Sequence, residues 1–278
     1  MPARFRHAIC SEVYEKRPFA GTCRAIRAAG YSGVEIAPFT LDEDPASIPA
    51  AKRREYAAAI RSEGLEFVGL HWLLVSPTGL HATTPDKSLR QRSWEHLRML
   101  VDLCADLGPR GVMVFGSPKQ RSSTGGLAPS EAVRLLTEGL ADLAPYALER
   151  GVTILLEALP SADTDVVISL DESARIVRSI GSEAVRTMFD CHNAVEEREP
   201  HAVLVDRHFD LIRHVHVNEL DGRHPGTGRY DYRAVLEVLS RGGYAGWLSL
   251  EVFDFAAGAD RIAVESLRFL ESEISKIS

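Results

Sequence analysis

The chain has 278 residues, of which 45% are hydrophobic and 26% are charged, a composition typical of a globular protein. Asp and Glu outnumber Lys and Arg by 39 to 32, and the formal net charge of -7 argues against a nucleic-acid-binding protein. No stretch approaches the roughly 18 apolar residues of a membrane span, and the first residues lack the apolar core of a signal peptide. The four cysteines form no CxxC pair, which is typical of reduced, buried thiols. We therefore expect a cytoplasmic, single-domain protein over residues 1–278, acting on a small molecule rather than on nucleic acid or a membrane.

Short runs rich in Val, Ile and Leu alternate along the chain with longer amphipathic stretches. Continuous apolar runs are typical of parallel strands buried on both faces, and a spacing of three and four residues is typical of helices that cover them. Strands are predicted at Arg6–Cys10, Gly33–Ala37, Glu66–His71, Gly111–Phe115, Thr153–Glu157, Arg186–Asp190, Ile212–Val217 and Trp247–Glu251. Helices are predicted near 18–30, 46–63, 87–107, 129–150, 170–181, 198–208, 231–242 and 259–275. Ser130 and Asp171 are expected as helix N-caps, and left-handed residues at helix C-termini are expected at Gly30, Gly64, Gly151 and Gly242.

Eight strand–helix units in a chain of this length predict a single-domain α/β protein with the closed (β/α)8 architecture of a TIM barrel. A doubly wound open sheet is the alternative, because it uses the same alternation with fewer strands. The first predicted strand is not followed by GxGxxG, which disfavours the dinucleotide-binding version of that alternative.

Four consecutive predicted strands end in side chains that can bind a metal ion: Glu157, Asp190, His216 and Glu251. In a TIM barrel the carboxyl ends of the strands meet at one mouth, where three carboxylates would repel one another unless a cation neutralised them. His214 lies on the same side of its strand as His216, and His216 is the one expected nearer the mouth. A mostly oxygen-donor set suits Mn²⁺ or Mg²⁺, with Co²⁺ or Zn²⁺ as further candidates. Taken singly, each carboxylate could instead be an ion-paired or solvated strand end, and the histidine could be a hydrogen-bonded core residue.

Several segments carry a family resemblance that covers nearly the whole chain. They are GYSGVEIAPFTL (30–41), GLHWLLVSPTGLH (69–81), FGSPKQR (115–121), EALPSADTD (157–165), MFDCHN (188–193), HVHVNELDGRHPGTGRYDY (214–232) and GGYAGWLSLEVF (242–253). With these segments the chain resembles the sugar phosphate isomerase/epimerase group of xylose-isomerase-like barrels, which includes ketose 3-epimerases, hydroxypyruvate isomerase and inosose dehydratase. The resemblance implies one divalent metal ion, Mn²⁺ first, held by Glu157, Asp190, His216 and Glu251. It also implies that Glu157 and Glu251 exchange the substrate proton, and that the protein can form a homodimer or homotetramer.

The resemblance further implies a set of substrate-binding residues, each with an alternative structural role. His192 follows Asp190 by two residues, whereas many epimerases have three, and Pro160 and Ser161 replace the Asn and Arg of their strand-five motif. His71 with Trp72 offers a sugar a polar group beside a flat apolar face. Glu35 could accept a hydroxyl or pair inside the barrel. The remaining candidates are basic residues of the mouth loops that could bind an anion or lie in solvent: Lys119, Arg121 and Arg223.

These residues favour a metal-dependent isomerase or epimerase of a ketose, sugar phosphate or keto-acid, acting by proton transfer through an enediolate. A lyase that dehydrates a keto-polyol, like inosose dehydratase, would use the same intermediate. An abasic-site endonuclease shares the barrel but needs further histidines, and the fourth predicted strand ends MVFGSP without one. A non-catalytic sugar-binding barrel is the last alternative, which the intact ligand set disfavours.

Overall fold

Eight parallel strands form a closed barrel in the computed structural model, which describes residues 4–277. The strands are β1 (Arg6–Cys10), β2 (Gly33–Ile36), β3 (Glu66–Leu70), β4 (Val112–Phe115), β5 (Thr153–Leu156), β6 (Val185–Asp190), β7 (Ile212–Val217) and β8 (Trp247–Leu250). Each strand pairs with the next along the chain, and β1 pairs with β8 to close the sheet. The predicted TIM barrel is confirmed, and the open-sheet alternative is wrong.

A helix follows each strand and covers the outside of the barrel. The helices are α1 (Phe19–Ala28), α2 (Ala50–Ser62), α3 (Lys87–Leu107), α4 (Pro129–Glu149), α5 (Leu170–Ile180), α6 (His201–Arg207), α7 (Tyr232–Arg241) and α8 (Ala259–Ile274). Their buried Leu, Ile, Val and Ala side chains pack against the outward-facing side chains of the strands. None of the helices formed by residues 4–277 combines the length and apolar character needed to cross a membrane.

The inside of the barrel is apolar toward the end where the strands begin and polar toward the mouth, where the strands end. Ala8, Val68 and Trp247 pack together inside the lower part of the barrel. Val114, Leu155 and Met188 form the next apolar cluster. Because side chains alternate along a strand, the residue two positions after Leu155 and the one two positions after Met188 are Glu157 and Asp190 at the mouth. The chain therefore places its acids directly above an apolar floor.

Four predicted strands, the second, third, fifth and eighth, end one residue earlier in the structure. In three of them the next residue is a candidate site side chain. His71, Glu157 and Glu251 each follow the last paired residue of β3, β5 or β8. Their apolar runs predicted strand through these positions, but the backbone has left the sheet there to enter a mouth loop. All three side chains remain buried, so they point into the protein rather than into solvent.

Both predicted N-caps are wrong. The N-cap of α5 is Ser169, whose hydroxyl accepts a hydrogen bond from the backbone N–H of Glu172, and Asp171 lies in the first turn. Helix α4 begins at Pro129 after Ala128, one residue before Ser130. A proline in the first helical turn needs no hydrogen-bond partner for its nitrogen, so it competes well with a serine cap.

Candidate metal centre and active site

The four predicted ligands lie together at the mouth of the barrel, as the strand register requires. Asp190 on β6 pairs in register with His216 on β7, and His216 pairs with Ser249 on β8, two residues before Glu251. The ligand atoms of Glu157, Asp190, His216 and Glu251 lie within 4.8 Å of one another. All four side chains are buried.

His216 Nδ1 lies at the centre of this group. It is 3.0 Å from Glu251 Oε2, 3.3 Å from Asp190 Oδ2 and 3.9 Å from Glu157 Oε1. Nevertheless, this buried nitrogen makes no hydrogen bond of acceptable geometry within the described residues. A nitrogen surrounded by three carboxylates is the arrangement that a divalent cation would satisfy, because the cation accepts the lone pair and neutralises the acids.

The other ring nitrogen of His216 is held by Glu35. His216 Nε2 lies 3.1 Å from Glu35 Oε1, and His214 Nε2 lies 2.8 Å from Glu35 Oε2. A carboxylate at Nε2 favours a proton on that nitrogen. The surrounding acids raise the pKa of His216 without a cation, and a cation that displaces the proton of Nδ1 would bind the lone pair of that nitrogen. Glu35 therefore takes the structural role foreseen for it inside the barrel and orients the histidine of the cluster.

Asp190 is held by two asparagines, one through its backbone N–H and the other through its side-chain amide. Its Oδ1 accepts a hydrogen bond from the backbone N–H of Asn193 at 2.8 Å, and its Oδ2 accepts one from Asn218 Nδ2 at 3.3 Å. Burial opposes ionisation, but hydrogen bonding and the charge of His216 hold the pKa of Asp190 below its ordinary value. This carboxylate is therefore preorganised in its ionised form, which is the form that binds a metal.

Glu157 is placed by two features of its surroundings. Its Oε1 accepts a hydrogen bond from Asn193 Nδ2 at 3.0 Å. Its Oε2 lies where a Cβ atom on Gly116 would be, so glycine is needed there for the carboxylate to occupy its position. Burial, followed by the charges of Glu251 and Asp190, raises the pKa of Glu157 to about 8. Without a cation, the site therefore retains a proton near neutral pH.

A second buried pair adjoins the cluster. His71 Nε2 lies 2.9 Å from Glu12 Oε1 and 3.9 Å from Glu251 Oε1. Burial opposes the charge on His71, but Glu12 and then Glu35 and Glu251 raise its pKa to about 9. Glu12 thus supports a histidine at the edge of the site.

A cavity of about 240 Å³ opens above the cluster. It is smaller than the roughly 300–1,000 Å³ of pockets for drug-sized ligands, so a single small polyol suits it. Trp72 and Phe253 form an aromatic wall with ring centroids 6.3 Å apart, and Trp72 has the positive φ of 55° that is uncommon outside glycine. The lining residues are His71, Trp72, Val114, Gly116, Ser117, Pro118, Glu157, Leu159, Asp163, His192, Asn193, Glu251 and Phe253.

His192 lines this cavity beside the aromatic wall. Its Nδ1 donates to the backbone carbonyl of Leu220 at 2.8 Å, which places the proton on Nδ1. Its ring centroid lies 5.0 Å from that of Phe253. The structure therefore brings His71, Trp72 and His192 into the cavity with the two glutamates.

The three basic candidates lie elsewhere. Arg121 is fully buried, and its guanidinium donates to the carbonyl oxygens of Phe115 at 2.9 Å and Glu157 at 2.7 Å. The sequence predicted that Arg121 binds an anion or lies exposed in a loop, and both interpretations are wrong. Its hydrogen bonds to these carbonyl oxygens instead hold the backbone of the mouth loops in place. Arg223 is exposed and bonds to Asp221 at 2.8 Å, and Lys119 is exposed and is not a lining residue.

Sequence reasoning missed Asp163, Asn193 and Glu12. Asn193 stands within the quoted MFDCHN segment and holds both Asp190 and Glu157, so a search for residues that orient the ligands could have found it. Asp163 stands six residues after Glu157, in a loop whose direction no strand or helix pattern predicts. Glu12 gave no signal, because it follows β1 in a short 3-10 helix that is not periodic.

Comparison with known proteins places this site in a family context. Residues 23–273 match the family described as "Xylose isomerase-like TIM barrel". The chain is 23% identical to a fructoselysine 3-epimerase of Shigella flexneri over 68% of this chain and 70% of that protein. It is 25% identical to a putative hydroxypyruvate isomerase of Streptomyces coelicolor, over 87% and 88% of the two chains.

Solved structures show the same fold. A D-psicose 3-epimerase from Clostridium cellulolyticum H10, crystallised with D-tagatose, superimposes with a TM-score of 0.86 at 17% identity, over 97% of this chain and 99% of the other. The family match covers most of the chain, and the barrel is the one that the resemblance implied. This chain belongs to the xylose isomerase-like TIM barrel family.

Proposed function

We propose that this protein is a divalent-metal-dependent epimerase or isomerase that moves a proton on a ketose or related small sugar. The observation that carries the proposal is the convergence of three buried carboxylates on the unpaired His216 Nδ1, at the floor of a cavity of small-sugar size. The sugar epimerases and isomerases among the similar proteins support it.

Glu157, Asp190, His216 and Glu251 would hold the cation, with Mn²⁺ as the first candidate. When bound, a divalent cation would hold the carbonyl and neighbouring hydroxyl oxygens of the sugar and stabilise the enediolate charge. Asp190 is the most firmly held of the three acids, through its contacts with Asn193, Asn218 and His216, so we assign it to binding alone.

Glu157 and Glu251 are assigned the proton transfers. They follow β5 and β8, which are separated by two strands on one side of the barrel and by four on the other. Their carboxylates therefore approach the cavity from different directions, and both line it. One carboxylate can remove the proton next to the carbonyl, and the other can return a proton to the opposite face, which inverts that carbon. In the metal-free site, burial raises the pKa of each glutamate, so both carboxyl groups can take up a proton as well as release one.

His71, His192 and Trp72 are proposed to position the sugar. Two histidines offer hydrogen bonds to hydroxyl groups, and the indole offers an apolar face to the C–H side of the ring. Glu12 holds His71, and the carbonyl of Leu220 holds His192, so both rings are fixed before substrate arrives.

The test is solvent deuterium incorporation. The protein is stripped with a chelator, reloaded with Mn²⁺ and incubated in deuterated water with a panel of ketoses. Mass spectrometry then detects deuterium in recovered sugar, and NMR after metal removal identifies the carbon and its configuration. We expect incorporation at one carbon next to the carbonyl.

Two variants and one control complete this experiment. Glu157→Gln and Glu251→Gln should each lose the exchange, and Glu66→Gln at the opposite end of the barrel should retain it. Exchange that persists in both site variants, or no exchange by the metal-loaded protein with any ketose, would contradict the proposal. A product lighter by one water would instead identify the lyase alternative.

A further inference from the structure

The ionisable side chains that line the cavity give it an acidic character. Within residues 4–277 they are Glu157, Asp163, Glu251 and two histidines. The two glutamates belong to the proposed metal set, but Asp163 stands apart from it. Asp163 is exposed, and its carboxylate makes no hydrogen bond or ion pair with the side chains of the described residues. It therefore presents a solvated negative charge to whatever enters.

Two arginines of the mouth loops, Arg121 and Arg223, are bound to other groups. Arg121 donates to the carbonyls of Phe115, Glu157 and Val167 from a fully buried position. Arg223 bonds through Nε to Asp221 and through Nη2 to the carbonyl of Thr227 at 3.2 Å. An anionic substrate group would have to displace these contacts before either guanidinium could bind it.

The helix ends near the mouth are also acidic. TIM barrels frequently bind phosphate at the loops after strands seven and eight and at a helix N-terminus there. In this chain Asp231 caps α7 by accepting from the backbone N–H of Ala234 at 3.4 Å. Asp260 lies in the first turn of α8 and bonds to Arg17 at 2.8 Å. Carboxylates thus already lie at the two helix starts that could receive a phosphate.

From these contacts we propose that the cavity selects ketoses without a phosphate or carboxylate group, and that Asp163 is the residue that enforces this selection. The inference rests on the proposed function, because it concerns the substrate of the same site. Even with His71 protonated, a divalent cation brings the positive charges to three, fewer than the five negative charges of Glu12, Glu157, Asp163, Asp190 and Glu251. The mouth therefore remains negative with the cation bound, and a phosphate dianion is repelled.

The wall of the cavity suits an uncharged sugar. Trp72, Leu159 and Phe253 provide apolar surface for C–H groups, and Asp163 accepts hydrogen bonds from hydroxyl groups. Phe253 is 41% exposed, so the apolar wall extends outward along the path by which the sugar enters. Discrimination thus combines attraction of a polyol with repulsion of its charged analogue.

The test compares matched pairs of substrates: D-fructose with D-fructose 6-phosphate, and L-ribulose with L-ribulose 5-phosphate. With the Mn²⁺-loaded protein, kcat/KM for the neutral member should exceed that for the phosphate by about 100-fold. Asp163→Asn should lower this ratio of kcat/KM values toward one, and Asp163→Lys should lower it further. Glu237→Gln, which removes an exposed acid from α7, should leave the ratio unchanged. Raising the salt concentration should also narrow the ratio for the unmodified protein, which a purely steric selection would not do.

Two results would overturn this inference while leaving the proposed function intact. One is a phosphorylated member that is turned over as well as or better than its neutral partner. The other is a ratio that neither Asp163 variant changes. If no member of either pair is turned over, deuterium exchange with the full panel of ketoses decides the proposed function, and calorimetric binding of the same pairs decides the inference separately. Tighter binding of the neutral sugars would support it, and tighter binding of the phosphates would overturn it.

Discussion

The charged side chains at the two ends of the barrel differ in how far they are exposed to water. At the end where the strands begin, a cavity of about 630 Å³ is lined by charged side chains such as Arg6 and Glu66, which pair at 2.6 Å. These two side chains are 43% and 64% exposed, so water screens the pair and it contributes little to stability. At the carboxyl end, the smaller cavity stands over acids that are less than 10% exposed.

Burial of the charged side chains, rather than their number or the size of the cavity, distinguishes the carboxyl end, which holds the candidate site. At the amino end each charge can find an opposite charge or water. At the carboxyl end three like charges share one histidine nitrogen in a dry environment, which is costly unless a cation or a proton compensates.

Removal of one buried acid should abolish activity, whereas removal of an exposed acid at the other end should not. Glu157→Gln and Glu251→Gln are each expected to lower kcat by about 10³-fold, since each loses a proton-transfer group and a metal ligand. Glu66→Gln should stay within about twofold, because a surface ion pair contributes roughly 0–1 kcal/mol. Steady-state kinetics with Mn²⁺ in excess checks both. A large loss in Glu66→Gln would remove the distinction between the ends.

Gly116→Ala should damage activity without unfolding the chain. The new Cβ would overlap Glu157 Oε2, and the flexible glutamate would move aside at small cost in stability. We expect a loss of about 10²-fold in kcat/KM, because a catalytic group displaced by about 1 Å loses its reactive geometry. The matched control is Gly21→Ala in α1, where a Cβ meets ordinary contacts at 4.0 Å. Wild-type kinetics for Gly116→Ala would show that Glu157 does not need its observed position.

Loss of the carboxylate behind His216 should weaken metal binding. Glu35→Gln removes the acceptor that favours the proton on Nε2, and supporting contacts of this kind are worth roughly 10–100-fold in metal affinity. Titration of Mn²⁺ into the chelator-treated protein measures the change. Glu265→Gln is the control, because it removes an acid 3.4 Å from another histidine, His224, away from the cluster. Equal affinities for Glu35→Gln and wild type would exclude an orienting role for Glu35.

The metal-free protein should lose stability as the pH rises. The pKa of Glu157 in the folded protein, about 8, lies above its ordinary value of 4.5. Its protonation therefore contributes fully to the free energy of unfolding below pH 4.5, and this contribution disappears as the pH rises through 8. His71 acts in the same direction, between its ordinary value of 6.5 and about 9. Between pH 6 and pH 9 we expect Tm to fall by about 5 °C.

Calorimetry with and without Mn²⁺ checks this dependence. Added Mn²⁺ should remove most of the decrease, because the cation takes the place of the proton among the carboxylates. The decrease should be smaller in Glu157→Gln and unchanged in Glu66→Gln. A metal-free protein whose Tm rises over this range would have the opposite linkage, and the pKa of Glu157 could not then be raised.

The fold and the four central residues could be predicted from the sequence because each rests on a repeated signal. Apolar strands followed by amphipathic helices occur eight times, and four strands end in potential ligands. Glu157 and His216 were predicted from strand ends that share one mouth, and the structure places their ligand atoms within 4.8 Å of those of Asp190 and Glu251.

The surroundings of the site could not be predicted in the same way, because they depend on loops. Arg121 resembles any loop arginine in the sequence, and only the folded loops show that backbone carbonyls surround it. Asp163 reaches the cavity through a turn in which its N–H bonds to the carbonyl of Pro160. Gly30, Gly64 and Gly151 have the positive φ expected after a helix. Gly242 instead keeps a helical φ of -75°, and the left-handed turn falls on Gly243. Neighbouring residues with similar preferences compete for such positions, and local sequence does not decide between them.

The measurement that tests the central claim most directly is the number of Mn²⁺ ions bound per chain, obtained by equilibrium dialysis and elemental analysis. We expect one ion per chain for the wild type and for Glu66→Gln. We expect an affinity at least about 10²-fold lower for Glu251→Gln and for Asp190→Asn, which keep the shape of the site but lose a charged ligand. A wild-type chain that retains no ion, or equal binding by all four proteins, would contradict the proposed metal site.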